Sequence, residues 1–268
     1  MGVEEAVIVG AGPAGLAAAN QLSLYGVSSL VLHRDEPGGL LLNAGSVVNY
    51  PGVPRGVTGL ELAERFPKPH RLCRVSVTSI VRNQHGTYQI RWDGGHSESR
   101  SLIVASGTVP VRIPLPGVDP GRIFYEVRNI PEGRFHSAAI IGGGDAALDY
   151  AVTLSGSMSV NVYSRSGFSR SVPYLLKKVM DLDSVKLFPD HREFNGFSED
   201  IILVACGRQR NVGFIAEDLL CSPPEDGSFH LCGDCRNGTF RQASIAVGDG
   251  VMAAMKTADY LGKGKRSE

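Results

Sequence analysis

One glycine pattern, present twice, constrains this chain more than any other feature. VIVGAGPAGLAAAN runs from Val7 to Asn20, and AIIGGGDAALDYA begins at Ala139. In each, an apolar run of strand character meets a cluster of glycines and then small residues of helical character. Gly10, Gly12 and Gly15 give G-x-G-x-x-G after Ala6–Val9; Gly142, Gly144 and Ala147 give G-x-G-x-x-A after Ala138–Ile141. The first glycine permits a tight turn, the second lets backbone approach a diphosphate, and the third position lets the helix pack on its strand. Gly26 ends the first helix and Ser28–Leu32 is the next strand. The second helix runs to about Leu154, with Ser159–Tyr163 as its following strand. Each pattern therefore lies in the strand–helix–strand context that a dinucleotide site requires. Free amides at each helix start, reinforced by the helix dipole, favour a bound phosphate.

The chain's 268 residues have room for two ordinary domains. Apolar residues make up 43% and charged residues 20%, a globular balance. Formal net charge is zero, so no field draws in nucleic acid or an anionic membrane. The basic end, GKGKRSE, reads as a solvated tail. No apolar run reaches the length of a membrane span, and MGVEEAVIVGAG carries acids where a signal peptide needs bases. Five cysteines do not read as a disulfide scaffold. A cytoplasmic protein is expected, with no nucleic-acid or membrane partner.

Both cradles lack the acid that ordinarily ends the second strand and holds a ribose. The first has His33, followed by Arg34, Asp35 and Glu36. His33, Asp35 or Glu36 serves the ribose, or the acids are solvated loop charges. The second has Tyr163, followed by Arg165 and Arg170. The two arginines suit a 2′-phosphate, favouring NADPH over NADH, or they are exposed loop cations.

Further marks follow in order: Gly38-Gly39-Leu40, Asn49-Tyr50-Pro51-Gly52, Val57-Thr58-Gly59-Leu60-Glu61-Leu62, Cys232-Gly233-Asp234 and Gly238-Thr239-Phe240-Arg241-Gln242-Ala243. Together with the two cradles they resemble the low-molecular-weight thioredoxin reductase family of flavoproteins over most of the chain. The resemblance implies an α/β fold of two Rossmann-like three-layer domains and a homodimer. An FAD domain, residues 1–109 plus 222–268, would be split by an inserted NAD(P)H domain, residues 110–221. The IPLPG stretch and the loop after Gly207 would be the crossings.

By the same resemblance, FAD would be held by the turn Gly10, Gly12, Pro13, Ala14 and Gly15, and by His33 and Arg34. Gly39, Leu40, Asn49, Thr58 and Gly107 would add to the site. Gly233 would accompany Asp234, which would bond the ribityl chain, and Arg241, Gln242 and Ala243 would open a helix aimed at the flavin. NADPH, or NADH, would meet Gly142, Gly144, Asp145, Ala146, Arg165 and Arg170.

The chain departs from that family at a decisive place. A thioredoxin reductase carries Cys-x-x-Cys just before its second glycine turn, where thiol exchange passes electrons to a partner. With a one-residue gap, Glu126 and Asn129 hold those positions here. The segment is similar to the thioredoxin-reductase-like ferredoxin–NADP reductases, which lack the pair. Phe124 or Tyr125 would then lie near the flavin, or serve as ordinary strand aromatics. The chain's own Cys-x-x-Cys, Cys232 and Cys235, brackets Asp234; it is a redox pair or two small core residues. Zinc is not expected, since no second ligand pair has a suitable spacing. Cys73, Cys206 and Cys221 have no telling partner. No general acid or base stands out among His70, His85, His96, His136, His191 and His230.

The second domain looks trimmed. After a helix at Val172–Met180 and a strand at Val185–Phe188, the polar stretch PDHREFNGFSED is short for a three-stranded meander. Phe66–Val75 is likewise short for a helix and a strand. The leading expectation is an FAD-dependent oxidoreductase passing electrons from NAD(P)H to ferredoxin, flavodoxin or a small oxidant without a dithiol. The alternatives are a disulfide reductase with a thioredoxin-like partner, and a flavin-bound regulatory subunit whose nucleotide domain is dead.

Overall fold

The structure, a computed structural model, describes residues 2–194 and 196–264. Lys265–Glu268 of the basic tail lie outside the described residues. Strand β1 (Glu4–Val9) buries its last four residues. Gly10 then turns with φ +116°, a conformation that L side chains avoid. Helix α1 (Pro13–Leu24) begins on a proline, whose missing N–H is no loss at a helix start. Strand β2 (Ser29–His33) returns parallel to β1. A Thr58–Glu61 capping box starts the short helix α2 (Gly59–Glu64). Strand β3 (Leu72–Arg74) has three residues, so the segment read as short for a helix and a strand carries one abbreviated strand.

An antiparallel meander follows: β4 (Val77–Arg82), β5 (Tyr88–Trp92) and the long β6 (Gly95–Val104). In β5 Tyr88 and Ile90 are enclosed while Arg91 is exposed, the alternation expected of a half-buried strand. β7 (Thr108–Pro110) leaves the first sheet. The second domain carries β8 (Ile123–Phe124), β9 (Ser137–Ile141), α3 (Asp145–Leu154), β10 (Ser159–Tyr163), α4 (Pro173–Met180), β11 (Val185–Phe188) and β12 (Ile201–Val204). β13 (Arg208–Arg210), α5 (Glu217–Cys221), β14 (Phe229–Leu231) and α6 (Ala243–Tyr260) complete the chain.

The first sheet has the order β3-β2-β1-β6-β5-β4, with β14 also paired to β6. β6 serves three partners: its first half runs antiparallel to β5, its second half parallel to β1 and β14. Helices α1 and α6 cover one face, meeting through small residues. A Cβ on Gly250 would run into the Ala14 backbone, so a larger residue there would push the helices apart. The second sheet, β11-β10-β9-β12-β8, is wholly parallel. β7 and β13 pair antiparallel as a two-stranded ribbon between the sheets.

Two expectations are corrected. Val212, Phe214, Ile215 and Leu219 pack with Ile80, Leu102 and Phe229. The chain has therefore rejoined the first sheet before residue 212, not at 222, because these apolar side chains are buried against it. Helix α6 begins at Ala243 with Gln242 as its N-cap, so Arg241 lies ahead of the helix. Between β11 and β12 no strand occurs among the described residues. An aromatic patch takes its place: Tyr163 stacks on Phe188 at 4.9 Å and meets the edge of Phe197 at 5.5 Å. Together with Phe194 it covers Ala139, Ile141 and Ile202 on one face of the sheet.

Candidate functional site

The ends of β1, β2, β6 and β7, the ribbon, and the starts of α1, α3, α4 and α6 all border one cleft of about 1060 Å³. This is the crevice at strand C-termini where open α/β sheets bind ligands. Four helix starts open on it without a side-chain cap: α1 behind Gly12, α3 behind Gly144, α4 behind Val172 and α6 behind Gln242. Their first N–H groups have no intrahelical partner.

The glycines divide into two roles. A Cβ at Gly10 would lie 2.6 Å from the Ala105 carbonyl carbon, and one at Gly15 would run into the Gly10 carbonyl. These two let backbones touch. Gly12 and Gly144 have open space where a Cβ would project, so each leaves room for a ligand. Gly39 faces Gly12: a Cβ there would sit 3.2 Å from the Gly12 Cα. Gly142 and Gly233 are packing positions. Added Cβ atoms would lie 2.5 Å from the Ala205 oxygen and 2.8 Å from the Ala14 Cβ, respectively.

The structure brings Gly10, Gly12, Pro13, Ala14, His33, Arg34, Gly39, Leu40, Asn49, Gly107, Asp234, Arg241, Gln242 and Ala243 to the cleft wall, together with Asp145 and Ala146. His33 Nδ1 lies 2.7 Å from the Asp35 carbonyl oxygen. A carbonyl only accepts, so Nδ1 carries the proton, and in the neutral ring Nε2 is left as an acceptor. Arg34 pairs with the Asp35 carboxylate at 3.0 Å. Asn49 Nδ2 donates to Gln242 Oε1 at 2.8 Å, tying the loop after β2 to the start of α6. Burial pushes the Asp234 carboxyl up, against the opposing pull of Arg241 and Arg208. Its oxygens accept no hydrogen bond among the described residues, leaving them free for a hydroxyl-bearing chain. Asp145 is turned aside: its Oδ1 accepts from the Val172 N–H at 2.7 Å.

Other expected residues lie elsewhere. Thr58 is off the cleft wall, and its hydroxyl accepts from the Glu61 N–H at 3.1 Å as part of the capping box. Gly15, Gly142, Gly144 and Gly233 support the wall from behind or beside it. Arg165 and Arg170 stand exposed, off the wall and in no ion pair among the described residues. The Tyr163 hydroxyl donates to Glu199 Oε1 at 2.7 Å and is not free for a ribose. Phe124 and Tyr125 both border the cleft. Phe124 also packs edge-on against Phe135, and Arg112 lies over the Tyr125 ring at 5.0 Å.

Cys232 and Cys235 are both enclosed and unpaired. Burial raises both thiols above their ordinary range. Cys235 Sγ donates to the Val104 carbonyl at 3.2 Å. A thiolate suited to exchange needs exposure and a lowered pKa, and this pair has neither. No cluster of three or more metal-ligating side chains occurs among the described residues, and no helix among them is long and apolar enough to cross a membrane.

The sequence did not single out a polar knot at the waist of the molecule. Glu126 is 9% exposed. It accepts from Asn43 Nδ2 at 2.7 Å, Arg208 Nη1 at 2.8 Å and the Tyr150 hydroxyl at 3.3 Å. Its partners are separated from it by 24 to 83 positions, so no local spacing announces the knot. Asp149, on α3 beside Tyr150, also borders the cleft. Burial raises its carboxyl to about 6, against the opposing pull of the Gly45 backbone and the nearby Lys178.

The profile of the pyridine nucleotide-disulphide oxidoreductases matches residues 4–181. A ferredoxin–NADP reductase of Mesorhizobium japonicum is 31% identical over 199 residues, covering 68% of this chain and 58% of the relative. The chain thus spans little more than half the length of that relative. A thioredoxin reductase of Borreliella burgdorferi is 25% identical over 312 positions, covering 97% of this chain and 92% of the relative. That alignment is longer than the chain itself, so the relative carries segments this chain lacks. The crystal structure of Lactococcus lactis thioredoxin reductase superimposes with a TM-score of 0.86 at 22% identity, covering 97% of this chain and 99% of that one. That likeness carries the fold alone. With two thirds of its length under the profile and both glycine cradles inside the match, the chain belongs to the pyridine nucleotide-disulphide oxidoreductase family.

Proposed function

We propose that the chain is an FAD-dependent oxidoreductase that draws electrons from NADPH and delivers them to an acceptor without a protein dithiol. One observation carries the reading: the uncapped starts of α1, α3 and α6 open on the same cleft. Bound FAD would supply the redox chemistry, taking a hydride and releasing electrons to the acceptor. The protein's part is to bind and orient. N–H groups behind Gly12 would hold the FAD diphosphate, with His33 Nε2 accepting from the ribose and Asp234 from the ribityl hydroxyls. The start of α6 would face developing negative charge with its dipole, an effect of about 0.3–2 kcal/mol. N–H groups behind Gly144 would hold the NADPH diphosphate, and the free cations Arg165 and Arg170 its 2′-phosphate.

Glu126 and Asn129 stand where a dithiol would be needed, and neither exchanges with a disulfide. Cys232 and Cys235 are enclosed with raised pKa values. These observations favour a ferredoxin-like or flavodoxin-like protein, or a small oxidant, over a disulfide. The test is an anaerobic titration of the FAD-loaded protein, followed at the flavin absorbance. NADPH bleaches it, and adding ferredoxin restores the colour. Recovery with a disulfide substrate alone transfers the reading to a disulfide reductase. A yellow protein that neither NADPH nor NADH bleaches is a regulatory subunit.

A further inference from the structure

Glu126 is a buried acid that the proposed chemistry does not use. It lies at the cleft wall, between β8 and β9, in the second domain. Of its three donors, Tyr150 sits on α3 of the same domain and Arg208 on the connecting ribbon. Asn43 belongs to the loop after β2, in the first domain. Asn43 is 5% exposed and uses both ends of its amide across the divide, since its Oδ1 also accepts from the Arg128 N–H at 3.3 Å. Arg208 is in turn anchored on the ribbon, where Nε donates to the Thr108 hydroxyl at 2.7 Å and Nη2 to the Thr108 carbonyl at 3.0 Å. An ionised carboxylate accepts only, and here three donors from three separate segments converge on one. Such charge-assisted bonds are the stronger kind in a protein interior.

The contact extends along α3. The Gly45 backbone lies close enough to Asp149 to lower its carboxyl, and a Cβ on Gly45 would run into the Thr153 hydroxyl and lie 3.3 Å from the Thr153 Cβ. The thin two-stranded ribbon also joins the domains, and Arg128 Nη2 reaches the Asp35 carboxylate at 3.9 Å.

The geometry points to Glu126 as a positioning residue: it clasps the first-domain loop at Asn43 and the ribbon at Arg208, fixing the second cradle over the first. Resting on the proposed function, this orientation is the one that hydride transfer from NADPH uses. Where a dithiol enzyme would carry sulfur, this chain carries the clasp.

The seam supplies its own probe. Paired cysteines at 45 and 153 would have Cβ atoms close to the 3.5–4.5 Å spacing of a disulfide, and neither position borders the cleft. In Gly45→Cys/Thr153→Cys protein, glutathione disulfide closes the cross-link. With Glu126→Ala added, closure is slower by about tenfold, the worth of one charge-assisted hydrogen bond. Asn43→Ala breaks the clasp from the other domain and slows closure likewise, while Glu126→Gln falls between. The second readout is anaerobic flavin bleaching by NADPH. Glu126→Ala slows it by about tenfold at unchanged FAD content. Closing the 45–153 cross-link in that variant restores the rate, and dithiothreitol abolishes the rescue. Unchanged closure rates in both alanine variants overturn the clasp, as does a bleaching defect that the closed cross-link fails to repair. If the parent protein itself is not bleached, the proposed function fails, and the closure rates still decide the clasp.

Discussion

Gly10 and Gly12 are two residues apart in one motif, yet the structure gives them opposite consequences on substitution. Gly10 has φ +116° and a Cβ there would press on the Ala105 carbonyl group. Gly10→Ala therefore imposes both backbone strain and a steric clash, a loss of at least ~3 kcal/mol in the stability of the cofactor-free chain. Gly12 has φ −79° and ψ −177°, which any residue adopts, and a Cβ there meets nothing within 4 Å. Gly12→Ala is expected to keep or slightly raise stability, by up to ~1 kcal/mol, since alanine restricts the unfolded chain. The methyl group instead stands where a diphosphate would approach the uncapped N–H groups of α1. Losing one such charged hydrogen bond, about 1.5–3 kcal/mol, weakens FAD binding by roughly 10- to 150-fold. Urea unfolding of the cofactor-free proteins measures the first quantity, and quenching of FAD fluorescence on binding the second. A Gly12→Ala protein that is stable and binds FAD as the parent does would refute the placing of the cofactor. One that unfolds like Gly10→Ala would refute the division of roles.

Asp149→Asn is expected to stabilise the protein at pH 8. The raised folded-state pKa, about 6 against 3.8, means that stability is greatest below the unfolded value and falls as pH rises through about 6; the ionised form costs about 3 kcal/mol. Urea midpoints should therefore separate the two proteins at pH 8 and converge below pH 4, and a gap independent of pH contradicts this. In thiol labelling under native conditions, the exposed Cys206 and Cys221 react first, whereas Cys232 and Cys235 wait for unfolding; fast labelling of either would reopen a dithiol role. Thr58→Ala removes the capping box of α2 and costs about 1 kcal/mol without changing FAD affinity, which a titration of the variant checks. Arg165→Ala/Arg170→Ala lowers NADPH affinity by about tenfold or more and leaves NADH affinity and the unfolding midpoint unmoved; equal losses for both nucleotides would remove the 2′-phosphate assignment.

The parts of the fold that were legible in the sequence are those encoded by short-range physics. Glycines at fixed offsets between an apolar run and an alanine-rich run specify each turn, and Ser159–Tyr163 and Val185–Phe188 appear as strands with the bounds read from their residues. The return to the first sheet was read too late because Val212, Phe214 and Ile215 show no periodicity of their own; they are held by Ile80 and Phe229, far away in sequence. Thr58 is ambiguous in the sequence for a related reason. Its spacing to Glu61 fits a capping box as well as a ligand contact, and only geometry distinguishes them. Glu126 was seen locally, as a residue out of place, but its partners Asn43 and Arg208 are 83 and 82 positions away. No pattern within a window of sequence reports such a meeting.

Trimming and nucleotide choice are physically connected in the second domain. A parallel sheet needs cover on both faces, and without a meander the face bearing Ile141 and Ile202 is covered by Tyr163, Phe194 and Phe197. Tyr163 ends β10, where an acid would hold a ribose, and here it is committed to that cover. Its hydroxyl then needs a partner, which Glu199 provides. Burial alone would raise the Glu199 carboxyl, but donors from Asn161, Tyr163 and the local backbone hold it below the ordinary range. The acid of this corner is thus spent inside the domain, stabilising the patch, rather than at the cleft. An acid left free at the end of β10 would repel a 2′-phosphate; with Glu199 internalised, the exposed charges in the loop that directly follows β10 are Arg165 and Arg170. On the proposed function, a domain shortened in this way would still distinguish the two nucleotides, because Tyr163 at the end of β10 is committed to the covering and offers no acid to favour NADH.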